Sequence, residues 1–302
     1  MWIFLAFLSA GLLGFYDVFK KLSLRDNAVL PVLMINTVLC AVLFLPLIIG
    51  ASLGLADTLP SEGARAHCLV FVKALIVLSS WICGYYAIKQ LPLTIVGPIN
   101  ATRPVMTLLG ALLVFGEVLN AWQWAGVLLA IVSFFLLSRS GRKEGIRFSH
   151  NRWVLLLMMA AMLGSTSGLY DKYLMQSVYE GGAGLNRYFV QCWYNVYQAV
   201  IMTLVMLTIW LPIRKKCTPF RWRWSIVLIS LFLTAADMAY FYALSCPGAL
   251  VSVVSMVRRS SVVVSFLFGA MIFHEKNLCS KIIDLLLIVA GMACLYVGTI
   301  GV

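Results

Sequence analysis

Three arginines lie inside long apolar stretches of this sequence, where a positive charge needs a special environment. Arg103 is near the middle of one stretch, and Arg258 and Arg259 are near the middle of another. A charge within a membrane-spanning helix costs roughly 3 kcal/mol, so it requires a partner or a water-filled cavity. The guanidinium group stays charged and binds carboxylates or phosphates through paired hydrogen bonds. The arginines therefore predict a site for an anionic or zwitterionic solute; the alternative is an internal ion pair, for example Arg259 with Asp237.

Three aspartates occur in the same kind of environment. Asp17, Asp171 and Asp237 each lie within an apolar stretch. A carboxylate at membrane depth can take up and release a proton during transport, which would make H+ a coupling ion. It can equally cap a helix or pair with a basic side chain. The sequence leaves the choice between proton coupling and ion pairing open for all three.

Polar groups accompany the arginines at helical spacing. Asn100 and Arg103 are three residues apart and would lie near one face of a helix, as would Ser255 and Arg258. Two prolines in the segment 97–104 remove backbone donors, and the freed carbonyl groups are tolerated in a membrane only where they face protein or water. The pattern indicates a substrate-binding segment; a simple kink that serves packing is the alternative.

A stripe of polar residues follows one face of a later apolar stretch. Gln191, Tyr194 and Asn195 recur at helical spacing, and such a stripe inside a membrane faces a cavity or another helix. We expect these three side chains to contact the substrate. Trp81, Tyr85 and Tyr86 could line the same cavity, although aromatic residues near the ends of membrane spans more often lie at the lipid interface.

The stretches that carry these residues are long enough to cross a bilayer. The chain is 62% apolar and 11% charged, well below the roughly 25% charged residues of a soluble domain. About 20 helical residues cross the hydrocarbon core, and continuous apolar runs favour helices over a β-barrel. The sequence therefore predicts an all-α integral membrane protein with ten transmembrane helices. They are expected near residues 2–20, 29–50, 68–88, 93–115, 121–138, 153–174, 190–212, 224–244, 249–273 and 281–301.

The net charge of +12 is distributed unevenly between the two sides of such a ten-span chain. Sixteen lysines and arginines, including Lys20, fall on one side, whereas Arg65, Lys73 and Arg187 fall on the other. Basic loops face the cytoplasm, so the loops after odd-numbered spans are predicted to be cytoplasmic and both termini external. The expected location is the inner (plasma) membrane of a bacterium. Contacts with anionic lipid headgroups explain these charges, so we expect no nucleic-acid partner.

Short signals recur in the same order about 155 residues apart. The first set is Ala10, Gly14, Tyr16, Asp17 and Arg103; the second is Gly164, Gly168, Tyr170, Asp171 and Arg259. The repeats predict two five-span halves, 1–138 and 153–302, joined by a basic linker, 139–152. Because each half has an odd number of spans, the second half would be inverted relative to the first, with a pseudo-two-fold axis in the membrane plane.

The chain resembles the EamA-type transporters of the drug/metabolite transporter superfamily over essentially its whole length. The resemblance rests on the five-plus-five repeat, on the segment 103–117, which ends in Gly116-Glu117, and on the run up to Glu275. The resemblance implies a basket of ten helices, with spans 1–4 and 6–9 around a central cavity and spans 5 and 10 at the periphery. Substrates of the superfamily include amino acids, other metabolites, sugar-linked nucleotides and drugs, so the resemblance names no ligand. The chain departs from it in two respects: members of this type commonly keep their termini in the cytoplasm, and His274 stands where the first half has Gly116.

These features together predict a secondary transporter that moves a small anionic or zwitterionic metabolite by alternating access, with H+ as a candidate coupling ion. A membrane channel is the nearest alternative, and an integral membrane enzyme is the alternative from another class. The sequence contains neither a G-x-x-x-x-G-K-[ST] phosphate loop nor H-E-x-x-H, and its scattered cysteines form no C-x-x-C pair. We therefore expect no cofactor, no metal and no direct use of ATP. The oligomeric state is not indicated.

Overall fold

The computed structural model describes residues 2–53, 59, 62–115, 120–142, 151–175, 178–216, 218–245, 257–273 and 278–300. Secondary structure in this part of the chain is helical, without strands. The principal helices are α1 Trp2–Leu24, α2 Val29–Ser52, α3 Ala64–Gln90, α4 Leu93–Ala101, α5 Arg103–Phe115, α6 Ala121–Arg142, α7 Arg152–Met175, α8 Arg187–Val205, α9 Ser225–Ser245, α10 Ser261–Phe273 and α11 Leu278–Ile300.

The helices coincide with the apolar stretches of the sequence. Most stretches correspond to one principal helix within the described residues. The fourth is divided between α4 and α5, and in the ninth a turn at Ser260 separates the helical residues 257–259 from α10. Five helical segments are long and apolar enough to cross a membrane: α1, α2, α3, α7 and the segment that begins with α8; shorter apolar stretches lie in α6, α9 and α11. The chain is an all-α, multi-pass integral membrane protein, which confirms this part of the sequence-based prediction.

The segment that begins with α8 changes its winding before it ends. It continues through a π-helical turn, Met206–Trp210, a short α-helical turn, Leu211–Ile213, and a 3₁₀ turn, Arg214–Lys216. Pro212 lies in this region and has no N–H to donate to the preceding turn. A local π turn is a common way for a helix to absorb such an interruption.

The fourth apolar stretch breaks at Thr102. Its backbone N–H bonds back to the carbonyl oxygen of Ile99 at 3.2 Å, and its hydroxyl donates to the same oxygen at 2.7 Å. Arg103 is the first residue of α5, and Pro104 takes the second position, where a helix needs no backbone donor. The break therefore places Arg103 at a helix start in the interior of the bundle.

Helices from the two parts of the chain pack in pairs. α1 lies along α9, α3 along α7, α6 along α11, and α2 along α8. Two serine hydroxyls tie the first two pairs together: Ser9 donates to the carbonyl oxygen of Ala236, and Ser80 donates to that of Ala160, each at 2.7 Å. The principal interfaces thus join the first half of the chain to the second.

Glycines set the closest helix–helix approaches. Gly14 of α1 lies against Val264 of α10. Between α6 and α11, a Cβ atom at Gly126 would stand 2.8 Å from the carbonyl oxygen of Gly291. Because that oxygen belongs to the backbone, it has no room to move aside, so position 126 needs glycine.

The largest apolar core lies where α3 passes into α4. It includes Leu24, Ile88, Leu91, Leu93 and other buried residues of α1 to α4, with further members from α7 and α9. Large apolar side chains elsewhere are exposed on the outer surface, for example Phe135 of α6, which is 63% exposed. Such a surface suits lipid rather than water. The cavity borders this core, and Tyr16, Tyr85 and Ile88 belong to both.

Candidate functional site

A cavity of about 240 Å³ lies inside the bundle. Its walls come from α1, α3, α4, the start of α5, α8, α9, α10 and the residues just before α10, so both halves of the chain contribute. Apart from glycines and apolar side chains, the lining includes Tyr16, Ser80, Trp81, Tyr85, Asn100, Tyr194, Ser261 and Ser265. Six charged side chains also line it: Asp17, Lys20, Arg103, Asp237, Arg258 and Arg259.

Asp17 and Lys20 form an ion pair on α1. Lys20 Nζ lies 2.7 Å from Asp17 Oδ1, 4.1 Å from the centre of the Tyr16 ring and 5.3 Å from that of Tyr85. The lysine is only 6% exposed. The charge distribution in the sequence groups Lys20 with the basic residues of the loops, and this assignment is wrong: its carboxylate partner and two aromatic faces hold the ammonium group in the cavity wall.

Asp237 and Arg258 form the second ion pair, between α9 and the residues before α10. An Arg258 terminal nitrogen contacts Asp237 Oδ1, and Gln191 Nε2 donates to the other carboxylate oxygen at 3.3 Å. Arg258 also lies over the Tyr240 ring, 4.5 Å from its centre. The ion pair that the sequence suggests between Arg259 and Asp237 is therefore wrong, because Asp237 takes the neighbouring arginine.

Arg103 has no carboxylate partner within the described residues. Its guanidinium group lies against Gly164 of α7, where a Cβ would approach Arg103 Nη1 to 2.9 Å. Ser165 donates to the Arg103 carbonyl oxygen at 3.2 Å, which fixes the start of α5. The Nε atom is buried without a hydrogen-bond partner in this part of the chain. A buried donor of this kind is costly unless something else accepts its hydrogen bond.

Among the arginines that line the cavity, Arg259 is the second one without a salt bridge to a described residue. Its side chain is exposed and lines the cavity. Arg103 and Arg258 are close enough to repel its charge electrostatically. The cavity therefore brings together the two arginines that occupy matching positions in the repeats. Neither forms a salt bridge with a described residue, and the charge of Asp17 attracts both across the cavity.

Two of the predicted polar residues line the same cavity. Asn100 lies on its wall, and its Oδ1 atom is buried without a hydrogen-bond partner within the described chain. Tyr194 is also part of the wall and is 6% exposed. Trp81 and Tyr85 line the cavity, whereas Tyr86 is not part of the lining.

Other predicted site residues lie outside the cavity lining. Gln191 is behind Asp237 and bonds to it, and Asn195 donates to the Gln191 carbonyl oxygen within α8 at 2.9 Å. Asp171 pairs with Lys73 of α3 at 2.7 Å. Their predicted roles in binding or coupling stay predictions. Ser255 lies outside the described residues, as do Gly116, Glu117, His274 and Glu275.

Sequence reasoning missed Lys20, Gly164 and the serines of α10 as parts of this site. Asp17 and Lys20 are three residues apart, the spacing at which helical side chains meet, so the pair could have been found. The sequence does mark Gly164, but as a packing residue. Ser261 and Ser265 line the cavity without any distinctive sequence signal.

Both halves of the chain contribute to the central cavity. Residues 1–139 match the EamA-like transporter family, part of the drug/metabolite transporter superfamily, which confirms the resemblance over the first half of the chain. The match indicates a membrane transporter of this type.

One solved crystal structure is similar in fold over almost the whole chain. It covers 96% of this chain and 96% of its own, with a TM-score of 0.60 and 14% sequence identity. The likeness extends the fold beyond residue 139 into the second half. Comparison with curated proteins gives no significant match.

Proposed function

We propose that the protein is a secondary carrier for a small anionic or zwitterionic metabolite. Arg103 and Arg259 carry this proposal: both line one cavity inside the membrane domain, and neither has a salt-bridge partner among the described residues. Arg103 Nε is buried without a hydrogen-bond partner among the described residues, which is costly, and Arg259 presents an exposed guanidinium group to the same cavity. A substrate carboxylate or phosphate would supply the missing charge and accept the free hydrogen-bond donors.

The carrier would work by alternating access between two inverted repeats, 1–138 and 153–302, joined by the linker 139–152. The packing supports this arrangement. If α1 corresponds to α7 and α3 to α9, then the α1–α9 and α3–α7 interfaces are equivalent, and both are extensive. If α5 likewise corresponds to α10, the α1–α10 interface is equivalent to the α5–α7 interface. If α2 corresponds to α8, the α2–α9 interface is equivalent to the α3–α8 interface. Rocking one half against the other would open the cavity to either side.

The position of the site favours a carrier over a channel. A channel needs a continuous pore, whereas this cavity lies between the two halves of the chain and borders the main apolar core, whose buried side chains include Ile88, Leu91 and Leu93. The positive-inside rule assigns the end where α3 meets α4 to the cytoplasm, with both termini outside, in the inner membrane of a bacterium.

Proton coupling is part of the proposal, and Asp17 is its candidate residue. Asp17 lines the cavity, and its side chain is 21% exposed. Asp237 also lines the cavity, but Arg258 and Gln191 engage both of its oxygens. Asp171 is paired with Lys73 away from the lining.

A thermal-shift screen of the detergent-purified protein tests the proposal. Metabolites sorted by charge are added to the wild type, to Arg103→Ala and to a control variant, Arg152→Ala, which alters an exposed residue at the start of α7. A ligand that binds only the folded protein raises its unfolding temperature. Anionic or zwitterionic compounds should stabilise the wild type and the control but not Arg103→Ala.

Uptake of the stabilising compounds into liposomes that contain the protein then distinguishes transport from binding. Saturable uptake that Arg103→Ala removes would support the carrier. If cations or neutral compounds alone stabilise the protein, the arginines are structural and the proposed substrate class is wrong. Uptake that rises linearly with concentration, without saturation, would favour a channel.

A further inference from the structure

The cavity carries more positive than negative charge. Four basic side chains, Lys20, Arg103, Arg258 and Arg259, line it with two acidic ones. These acidic residues are Asp17 and Asp237, the partners of Lys20 and Arg258. Two positive charges are therefore left over in the described lining, and they belong to Arg103 and Arg259.

Both aspartates already pair with a basic side chain. Asp17 is engaged by Lys20 at 2.7 Å, and Asp237 is engaged by Arg258 on one oxygen and by Gln191 on the other. A zwitterion brings one positive charge into a cavity that already has two in excess, so the like charges would repel one another. The lining thus disfavours zwitterions, although the proposed function includes both anionic and zwitterionic metabolites.

A ligand with two negative charges would balance the cavity. Each of the two arginines presents several donors in a plane, and together they can bind two carboxylates or one doubly charged phosphate. We propose that the cavity binds a small dianion, either a dicarboxylate or a phosphate monoester, through Arg103 and Arg259. This rests on the proposed function and narrows it.

The volume of the cavity suits a small ligand. Its volume of about 240 Å³ is below the roughly 300–1,000 Å³ of pockets for drug-sized compounds. Asn100 offers one further polar contact, because its buried Oδ1 has no partner among the described residues. A hydroxyl group on a small dianion could donate to it.

Probes of matched size and different charge test this proposal on the full-length protein. Succinate, butyrate and γ-aminobutyrate share a four-carbon skeleton but carry two negative charges, one negative charge, and one charge of each sign. Glycerol phosphate, with glycerol as its uncharged control, represents phosphate monoesters. Binding is measured from the thermal shift and uptake from proteoliposomes, in wild type, Arg103→Gln, Arg259→Gln and the surface control Arg152→Gln.

The dianions should bind about ten-fold or more tightly than butyrate and γ-aminobutyrate, a ratio that corresponds to about 1.4 kcal/mol. Either arginine variant should lower dianion affinity about ten-fold while changing butyrate affinity much less. Arg152→Gln should behave as wild type. A response to succinate alone indicates dicarboxylates, and a response to glycerol phosphate alone indicates phosphate monoesters; both support the proposal.

Several results would overturn it. Butyrate or γ-aminobutyrate binding as tightly as the dianions would contradict the charge argument but leave the carrier function intact. A dianion preference that survives in Arg259→Gln would contradict the assigned site, and this variant remains informative if Arg103→Gln fails to fold, because Arg259 is exposed to the cavity. No binding and no uptake of any probe would count against both the dianion and the anion carrier.

Discussion

The guanidinium group of Arg103 lies directly against the backbone of Gly164 on α7. A Cβ atom at position 164 would be 2.9 Å from Arg103 Nη1 and 3.0 Å from Cζ. One helical turn further on, a Cβ at Gly168 would meet Thr107 at 3.8 Å, an ordinary contact. The two glycines of one sequence motif thus have different roles, since Gly164 makes room for a charged side chain of the cavity.

Gly164→Ala should displace the Arg103 side chain and lower the affinity for an anionic substrate about ten-fold, equivalent to roughly 1.4 kcal/mol. The helix itself should gain stability, since alanine is favoured over glycine by about 1 kcal/mol in a helix interior. Thermal-shift titration with the best ligand measures the affinity. Gly168→Ala is the matched control and should retain wild-type affinity; an equal loss in both variants would show that helix packing alone is responsible.

Arg258 and Arg259 are neighbours, but their replacement should have different consequences. Arg258→Gln breaks the partly buried pair with Asp237 and should lower stability by roughly 3 kcal/mol. Arg259→Gln removes no salt bridge within the described chain, so it should leave the unfolding temperature nearly unchanged while reducing substrate affinity. Thermal unfolding with and without ligand separates the two effects. Equal destabilisation by both variants would argue that Arg259 is structural as well.

The pair of Arg258 and Asp237 can be tested further with a double-mutant cycle. Asp237→Asn alone should destabilise the protein about as much as Arg258→Gln, because either change leaves one charged group without its partner. The double variant should be more stable than the sum of the single effects predicts. Strict additivity of the unfolding temperatures would mean that the two side chains do not interact.

Asp17→Asn should remove the pH dependence of uptake if a proton is the coupling ion. Asp17 faces Lys20 on its own helix, Tyr85 on α3, Arg103 at the start of α5 and Arg259 before α10. Uptake into proteoliposomes is compared between mildly acidic and mildly alkaline external pH. Asp171→Asn, whose native partner Lys73 lies outside the lining, serves as the control. Wild-type uptake that is independent of pH would refute proton coupling.

Gly126→Ala should destabilise the contact between α6 and α11. The added Cβ would stand 2.8 Å from the Gly291 carbonyl oxygen, and overpacking of this kind costs about 1–3 kcal/mol. Gly11→Ala is the control, because a Cβ at Gly11 meets nothing within 4 Å. Thermal unfolding should distinguish them, with substrate affinity unchanged in both. If Gly126→Ala left the unfolding temperature unchanged, the two helices would be able to move apart freely.

The helices and their approximate bounds could be predicted from the sequence. The apolar stretches are long and continuous, and a polypeptide in lipid must satisfy its backbone within each segment. The sequence also identified Asn100, Arg103, Arg258 and Arg259 as candidate site residues, because a charge at membrane depth is informative without any knowledge of its neighbours.

The partners of these charges were decided by the tertiary structure. Successive residues on a helix point about 100° apart, so a shift of one position changes which side chain reaches a neighbouring helix. Asp237 therefore meets Arg258 instead of Arg259, and Tyr194 lines the cavity while Asn195 bonds within α8. Sequence alone determined which residues need a special environment, whereas helix packing decided which of them already have a partner and which remain available to a ligand.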